Sequence, residues 1–274
     1  MISLQEAMAI ADEHAARRRV PAEMIAVREA TGRVLARDQK SRVDQPPFDR
    51  SAVDGYAVTV DDPSGSYRVA GVISAGEPGM DALSPGSAAK VMTGAPVPPG
   101  SARVIMVEQA VEKDGEVRFE NPSAKNNICR KAEDIAVGDI VLAAGSRIGV
   151  LEMINLLGCG ISELDVARVV RIAVLSTGDE LVDSVSKITP GKIMNTNGPM
   201  LSTLARMHGL QVAVEEAVSD DPVALSEAIR RALAAVDIVV LSGGVSMGDF
   251  DYVPQAISRC GLHIHFDRVA VKPG

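Results

Sequence analysis

The chain has 274 residues, 46% of them hydrophobic but only 3% aromatic and none Trp, and its 28 Lys and Arg against 36 Asp and Glu give a formal net charge of -8. That length exceeds one compact domain, so two or three are expected, with cores of Val, Ile, Leu, Ala and Met, a composition suited to parallel α/β sheets. The charge excludes a nucleic-acid surface, which needs clustered Lys and Arg to displace counterions.

Ser3-Leu4-Gln5-Glu6 has capping-box spacing, and Leu4, Ala7, Met8, Ala11 and Ala15 follow on one helical face. An amphipathic helix is therefore predicted, ending before Pro21, with Arg17, Arg18 and Arg19 as its solvated end. Between about Ser41 and Val137, short β-like runs (Tyr56 to Val60, Tyr67 to Ile73, Arg103 to Val107) alternate with Gly and Pro clusters, so a mostly β domain is expected. Inside it, Asp114-Gly115 predicts a hairpin turn, both positions needing φ above zero.

From Arg168 onward strand and helix alternate. Strands are predicted over Val169 to Leu175, Gln211 to Val218, Asp237 to Leu241 and around Val269 to Val271. Helices are predicted from Gly198 to His208, closed by Gly209, from Pro222 to Ala235, and near Tyr252 to Cys260. Asp221-Pro222 supplies an N-cap followed by Pro at the first helical position. This alternation predicts a doubly wound parallel sheet covered by helices.

Cys129, Cys159 and Cys260 are odd in number and widely spaced, which suggests neither a disulfide framework nor a zinc site and fits a reducing cytoplasm. No apolar run approaches the roughly 20 residues of a bilayer span, so no membrane partner is expected. His14, His208, His263 and His265 lack a neighbouring ligand set at metal spacing, although His263 and His265 would share one strand face.

Ligands of open parallel sheets bind at the carboxyl ends of the strands, so the loops there carry the candidate chemistry. They read Ser176-Thr177-Gly178-Asp179-Glu180, Ser219-Asp220-Asp221, and Ser242-Gly243-Gly244-Val245-Ser246-Met247-Gly248-Asp249-Phe250-Asp251. The glycines serve either a tight strand-to-helix turn or a phosphate cradle of backbone N–H groups. Glu180, Asp220 and Asp251 either cap helices or, beside a phosphate, hold Mg²⁺ that offsets repulsion. Carboxylates in all three loops favour the metal reading, and Asp221 is assigned to capping.

The string Pro46-Pro47-Phe48-Asp49-Arg50-Ser51-Ala52-Val53-Asp54-Gly55-Tyr56-Ala57-Val58 resembles the PPFDNSAMDGYA signature of the MoeA/gephyrin E-domain family of molybdopterin molybdenumtransferases. Four more blocks follow in that family's order: Met92 to Pro96, Glu133-Asp134-Ile135, Leu175 to Leu181, and Leu241 to Tyr252. The resemblance implies a MogA-like molybdopterin-binding α/β domain over 1–21 and 169–274, an elongated dimerisation domain over 22–40 and 139–168, and a β-rich domain over 41–138. It implies a cytoplasmic homodimer that inserts molybdate into adenylylated molybdopterin with Mg²⁺, releasing AMP. The molybdopterin adenylyltransferase and molybdoenzyme acceptors would be its protein partners.

By position in the matching motifs, the resemblance gives Asp54, Asp134, Glu180, Asp220, Asp251 and Lys272 as catalytic, with Glu180 and Asp251 as metal ligands. It gives Thr93, Thr177, Gly178, Asp179, Asn195, Asn197, Ser242, Gly243, Gly244, Ser246 and Gly248 as cofactor-binding. Three positions depart from the pattern: Asn195 stands where the family usually has Asp, Cys129 where it has Arg, and Arg268 where it has Lys. The match runs to Val269-Ala270-Val271-Lys272-Pro273-Gly274, whereas family members continue into a further small β domain, which is expected to be absent here. Molybdopterin adenylylation, by a related fold with the same sheet and loop, and a pterin-binding scaffold without turnover are the rival functions.

Overall fold

The structure is a computed structural model that describes residues 1–60, 65–244 and 252–271. The chain divides into two compact units, Met1–Glu23 with Ala167–Gly274 and Met24–Val166.

Helix α1 (Leu4–Arg17) opens the chain. Ser3 accepts from the Glu6 backbone N–H while Glu6 accepts from that of Ser3, which is the capping box its spacing predicted. Its predicted core face is corrected by the structure: of the apolar stripe only Ala7 is buried, while Leu4 and Met8 are 52% and 57% exposed. The helix is held at its two ends instead. Ile2 pairs with Val269, and the His14 ring lies 4.0 Å from that of His265. Ile2 takes the backbone bonds of 268–270, so the predicted strand at 269–271 is an isolated bridge and no part of the main sheet.

The unit over 24–166 contains a six-stranded sheet in the order Arg103–Met106, Gly55–Val58, Ser87–Val91, Ser66–Ile73, Glu116–Phe119, Ala110–Lys113. Only the pairing of Ser66–Ile73 with Ser87–Val91 is parallel. The predicted hairpin is present, with Lys113 opposite Glu116 and φ of 53° and 80° at Asp114 and Gly115. Period-two alternation buries both faces. Tyr56 and Val58 pack with Ile105 and Val117, while Ala57 packs on the other side with Ile73, Ala89 and Val104. A separate core joins Val27, Ala30 and Leu35 to Ile148, Leu164 and Val166, with Leu156 of helix α2 (Val150–Gly158) at its centre. On the outer side of α2, Val150, Leu151 and Ile154 are 60%, 72% and 54% exposed.

In the other unit, three parallel strands stand in the order Gln211–Val218, Arg171–Thr177, Ile238–Ser242. Ile172 and Val174 face helix α3 (Asn197–Met207). Ala173 and Leu175 face helices α4 (Pro222–Ala235) and α5 (Val253–Arg259), so the sheet is wound on both sides as expected. Full burial of Leu225 and Ile229 contributes about 1.5–3 kcal/mol each to holding α4. Asp221 caps that helix, accepting from Val223 and Ala224 N–H at 3.0 and 2.7 Å. The chain therefore combines a doubly wound α/β sheet with a mostly β unit.

Candidate functional site

Within the 24–166 unit, two of the distant sequence blocks and the strand Ile128–Cys129 meet at the backbone of Ser51. Strand Arg50–Ser51 pairs with Ile128–Cys129, Ser51 N–H donates to Ala95 O at 2.9 Å, and Gly94 N–H donates to Ser51 O at 2.8 Å. This junction brings Asp54 and Thr93 together: one Asp54 oxygen accepts from Thr93 N–H at 2.6 Å and Thr93 Oγ1–H at 2.7 Å. Asp49 likewise accepts from Lys131 N–H at 2.8 Å and Arg130 Nη1 at 2.7 Å. Asp134 lies beside this, its N–H donating to Gln45 O at 3.0 Å, with its side chain exposed and unattached to the Asp54 pair.

The electrostatics of these loops have a pH signature. The Thr93 N–H and hydroxyl hold the Asp54 carboxyl below the usual range, and the Lys131 N–H, then Arg130, do so for Asp49. Groups with lowered folded values contribute stability that is complete above the unfolded value, about pH 4, and lost as pH falls through the lowered values. Urea unfolding of the 24–166 unit should therefore lose stability below about pH 4, and Asp49→Asn with Asp54→Asn should flatten that dependence. An unchanged slope in the double variant would show that these loops carry none of it.

In the α/β unit, the strand order places 171–177 between its two partners, with connections leaving in opposite directions, so the switch point lies between the ends of 171–177 and 238–242. Thr177 ends the first and Ser242 the second. Thr177 is 3% exposed, and its hydroxyl has no partner among the described residues. It points at Gly243 and Gly244, where a Cβ would lie 2.9 Å from Thr177 Oγ1. Gly243, at φ +95°, could not carry that Cβ without striking Thr177 O.

Around this point is a pocket of about 130 Å³. Its polar walls are Thr177, Glu180, Asn195, Thr196, Asn197 and Ser242, and its apolar ones include Leu181, Ile193 and Met194. Asn197 Nδ2 donates to Ser242 Oγ at 2.8 Å, tying the start of α3 to the adjacent strand end. Asn195 Oδ1 accepts from Gly198 N–H at 3.1 Å. Gly178, at φ +148°, lies beneath the Glu180 carboxylate, which stands within 2.7 Å of where its Cβ would be.

Asp179 and Asp220 serve backbone. Asp179 N–H donates to Asp220 Oδ2 at 3.3 Å and Asp220 N–H to Asp179 Oδ1 at 3.2 Å, a reciprocal stitch between two loops. Three neighbours have no role assigned from sequence, although Ser176 stands in the first candidate loop. Ser176 is buried with an unpartnered hydroxyl among the described residues, and Gly198 sits so close that its Cβ would lie 2.9 Å from Ser176 Oγ. Lys192 Nζ donates to Asp179 O at 2.5 Å. Nothing in the local pattern marks Gly198 or Lys192, because their close neighbours Ser176 and Asp179 lie outside their own segment. The expectations for Ser246, Gly248, Asp251 and Lys272 fall outside the described residues.

A doubly wound sheet with a hydroxyl- and glycine-lined switch-point pocket defines a ligand-binding α/β domain, here carried in one chain with a mostly β unit. Comparisons with known proteins make this specific. Residues 2–160 match the family model described as MoeA N-terminal region (domain I and II), and residues 173–274 match that described as probable molybdopterin binding domain. The chain belongs to the MoeA family. It is 36% identical over 255 residues to a molybdopterin molybdenumtransferase of Staphylococcus epidermidis, covering 90% of this chain and 61% of the relative. For the enzyme of that name from Staphylococcus aureus the identity is 34% over 263 residues, covering 93% and 63%. A crystal structure of a Pyrococcus horikoshii MoeA protein superposes with TM-score 0.80 at 28% identity, covering 100% of this chain and 70% of that one. The chain thus spans somewhat under two thirds of the length of these curated relatives.

Proposed function

We propose that this chain acts in molybdenum cofactor biosynthesis, as a transferase that inserts molybdate into adenylylated molybdopterin with release of AMP. The observation that supports the reading is the switch-point pocket lined by Thr177, Glu180, Asn195, Asn197 and Ser242 in a domain that matches the probable molybdopterin binding domain model. Catalysis of this kind rests on positioning and on preorganised dipoles, with no covalent protein intermediate. In this reading the α/β unit binds the pterin nucleotide through Thr177, Gly178, Asn197, Ser242, Gly243 and Gly244. The Asp54–Thr93 pair and Asp134 belong to the same activity on the β side, and Asp251 and Lys272 belong to it within the α/β segment of the sequence. A cytoplasmic setting is part of the proposal; no helix among the described residues is long and apolar enough to cross a membrane.

Of the two expected Mg²⁺ ligands, Glu180 lines the pocket and Asp251 lies outside the described residues. No group of three or more His, Cys, Asp or Glu side chains among the described residues is arranged around one point, and Asp179 and Asp220 are committed to each other's backbone. Incubating the protein with adenylylated molybdopterin and molybdate, and separately with molybdopterin and ATP, tests the function. Metallated cofactor with AMP release is the expected result; adenylylation from ATP would assign the rival transferase activity, and binding without turnover a scaffold.

Homodimerisation is part of the same proposal and is supported by the exposed Val150, Leu151 and Ile154 stripe on α2. Sedimentation should give twice the chain mass for the native protein and the monomer mass for Leu151→Lys with Ile154→Lys. A double variant that stays dimeric would remove α2 from the interface.

A further inference from the structure

Three histidines that the proposed function leaves unused form one cluster. The His265 ring is at its centre, its centroid 4.0 Å from that of His14 in the last turn of α1 and 4.7 Å from that of His263. His263 and His265 share a face, as their spacing predicted, although no regular strand forms around them. The segment 262–271 that carries them is attached by backbone at the start of α1, where Ile2 N–H donates to Arg268 O at 2.9 Å and Ala270 N–H to Ile2 O at 2.8 Å. The histidine rings attach the same segment at the far end of that helix. Leu262, Ile264 and Phe266 of the segment also wall a groove of about 560 Å³, whose other sides come from α4, α5 and the strand Ile238–Ser242.

Neutral imidazoles pack against one another at these distances, whereas two imidazolium rings repel. Little around the cluster offsets such charge. From α1, Arg18 lines the groove beside His263 and His265 and adds to the repulsion. Glu13 favours a charged His265, but it is already ion-paired with Arg17. Along the segment, Asp267 and Arg268 are of opposite sign and follow one another. The groove walls from α4, α5 and the strand Ile238–Ser242 are aliphatic, Ile229, Leu241 and Ile257 among them. Desolvation, then the neighbouring His14 and His263, hold the His265 imidazole below its ordinary value.

We propose that the three rings form an acid-sensitive latch: neutral, they hold 262–266 against the last turn of α1; protonated, they repel and release it, opening the groove beside the strand Ile238–Ser242. The direction follows from the folded chain preferring the neutral ring. Unfolded histidine titrates near pH 6.5, so the attachment is whole above about that pH and is lost as pH falls below it. The carboxylates titrate near pH 4, well apart from this window. The latch stands independently of the transferase reading.

Amide exchange of the native chain, corrected for its intrinsic pH dependence, tests this, with Ile2 and Ala270 reporting the attachment and Leu225 and Ile229 the body of α4. Between about pH 7.5 and pH 5.5, protection at Ile2 and Ala270 should fall by about tenfold while that of α4 stays constant. His14→Phe, which keeps a ring and removes the charge, should retain the protection seen at the higher pH and lose the response to acid. His14→Gln should lose the response as well. His14→Lys, with a fixed charge, should be weakly protected at both pH values. His208→Gln, outside the cluster, should respond like the native chain. Constant protection at Ile2 and Ala270 across this range, an equal fall in α4, or a full acid response in both His14→Phe and His14→Gln would overturn the latch.

Discussion

Gly55→Ala is expected to destabilise the 24–166 unit by about 3 kcal/mol or more, among the largest losses a single methyl group can cause. Gly55 begins the strand Gly55–Val58, whose four residues are all buried. A Cβ there would overlap Ile105 O and lie 2.8 Å from Ile105 C and 2.9 Å from Val104 Cγ1. Two of those atoms are backbone of the neighbouring strand, so no rotamer change relieves the clash. Either the pairing of Gly55–Val58 with Arg103–Met106 opens or the sheet shifts, and Asp54, which holds Thr93, moves with it. Tyr56 and Tyr67 are the tyrosines of this unit, so near-ultraviolet circular dichroism during urea unfolding reports on it. A loss under about 1 kcal/mol would mean that the strands separate at little cost and that the close approach is unimportant.

Gly243→Ala should remove ligand binding at the switch point, raising the Kd for adenylylated molybdopterin by about a hundredfold, or roughly 2.7 kcal/mol. Two effects combine. The residue has φ +95°, where an alanine is strained by about 1–3 kcal/mol. Its Cβ would also strike Thr177 O and sit 2.9 Å from Thr177 Oγ1, pushing apart the two strand ends that form the pocket. Equilibrium binding together with the melting temperature checks this. Binding equal to native protein, even with some stability lost, would assign Gly243 to turn geometry alone.

The local elements of this protein were legible because each is decided within one or two turns of chain. Ser3 with Glu6, Asp221 with Pro222, and Asp114-Gly115 carry their partners with them, and all three appear in the structure as read. The alternation from Arg168 onward also gave the doubly wound sheet, since each helix must pack back onto the strands beside it. The stripe on α1 misled because periodicity tells which residues share a face, not whether anything covers that face.

The candidate site divides along the same line. Its residue types could be read from the loops after the strands, and the five ordered blocks identify the family. What those blocks do to one another could not be read. That Ser51 is hydrogen-bonded to Gly94 and Ala95, that Asp179 and Asp220 cap each other, and that Thr177 is left unpartnered against Gly243 are consequences of pairings across roughly 40 to 70 residues. Sequence by itself determined the elements, the sheet's class and the family, through short-range capping, turn chemistry and periodicity. Only the tertiary structure decided which carboxylates are spent on backbone N–H groups and which remain for a ligand, because buried donors and acceptors must find partners wherever the fold brings them.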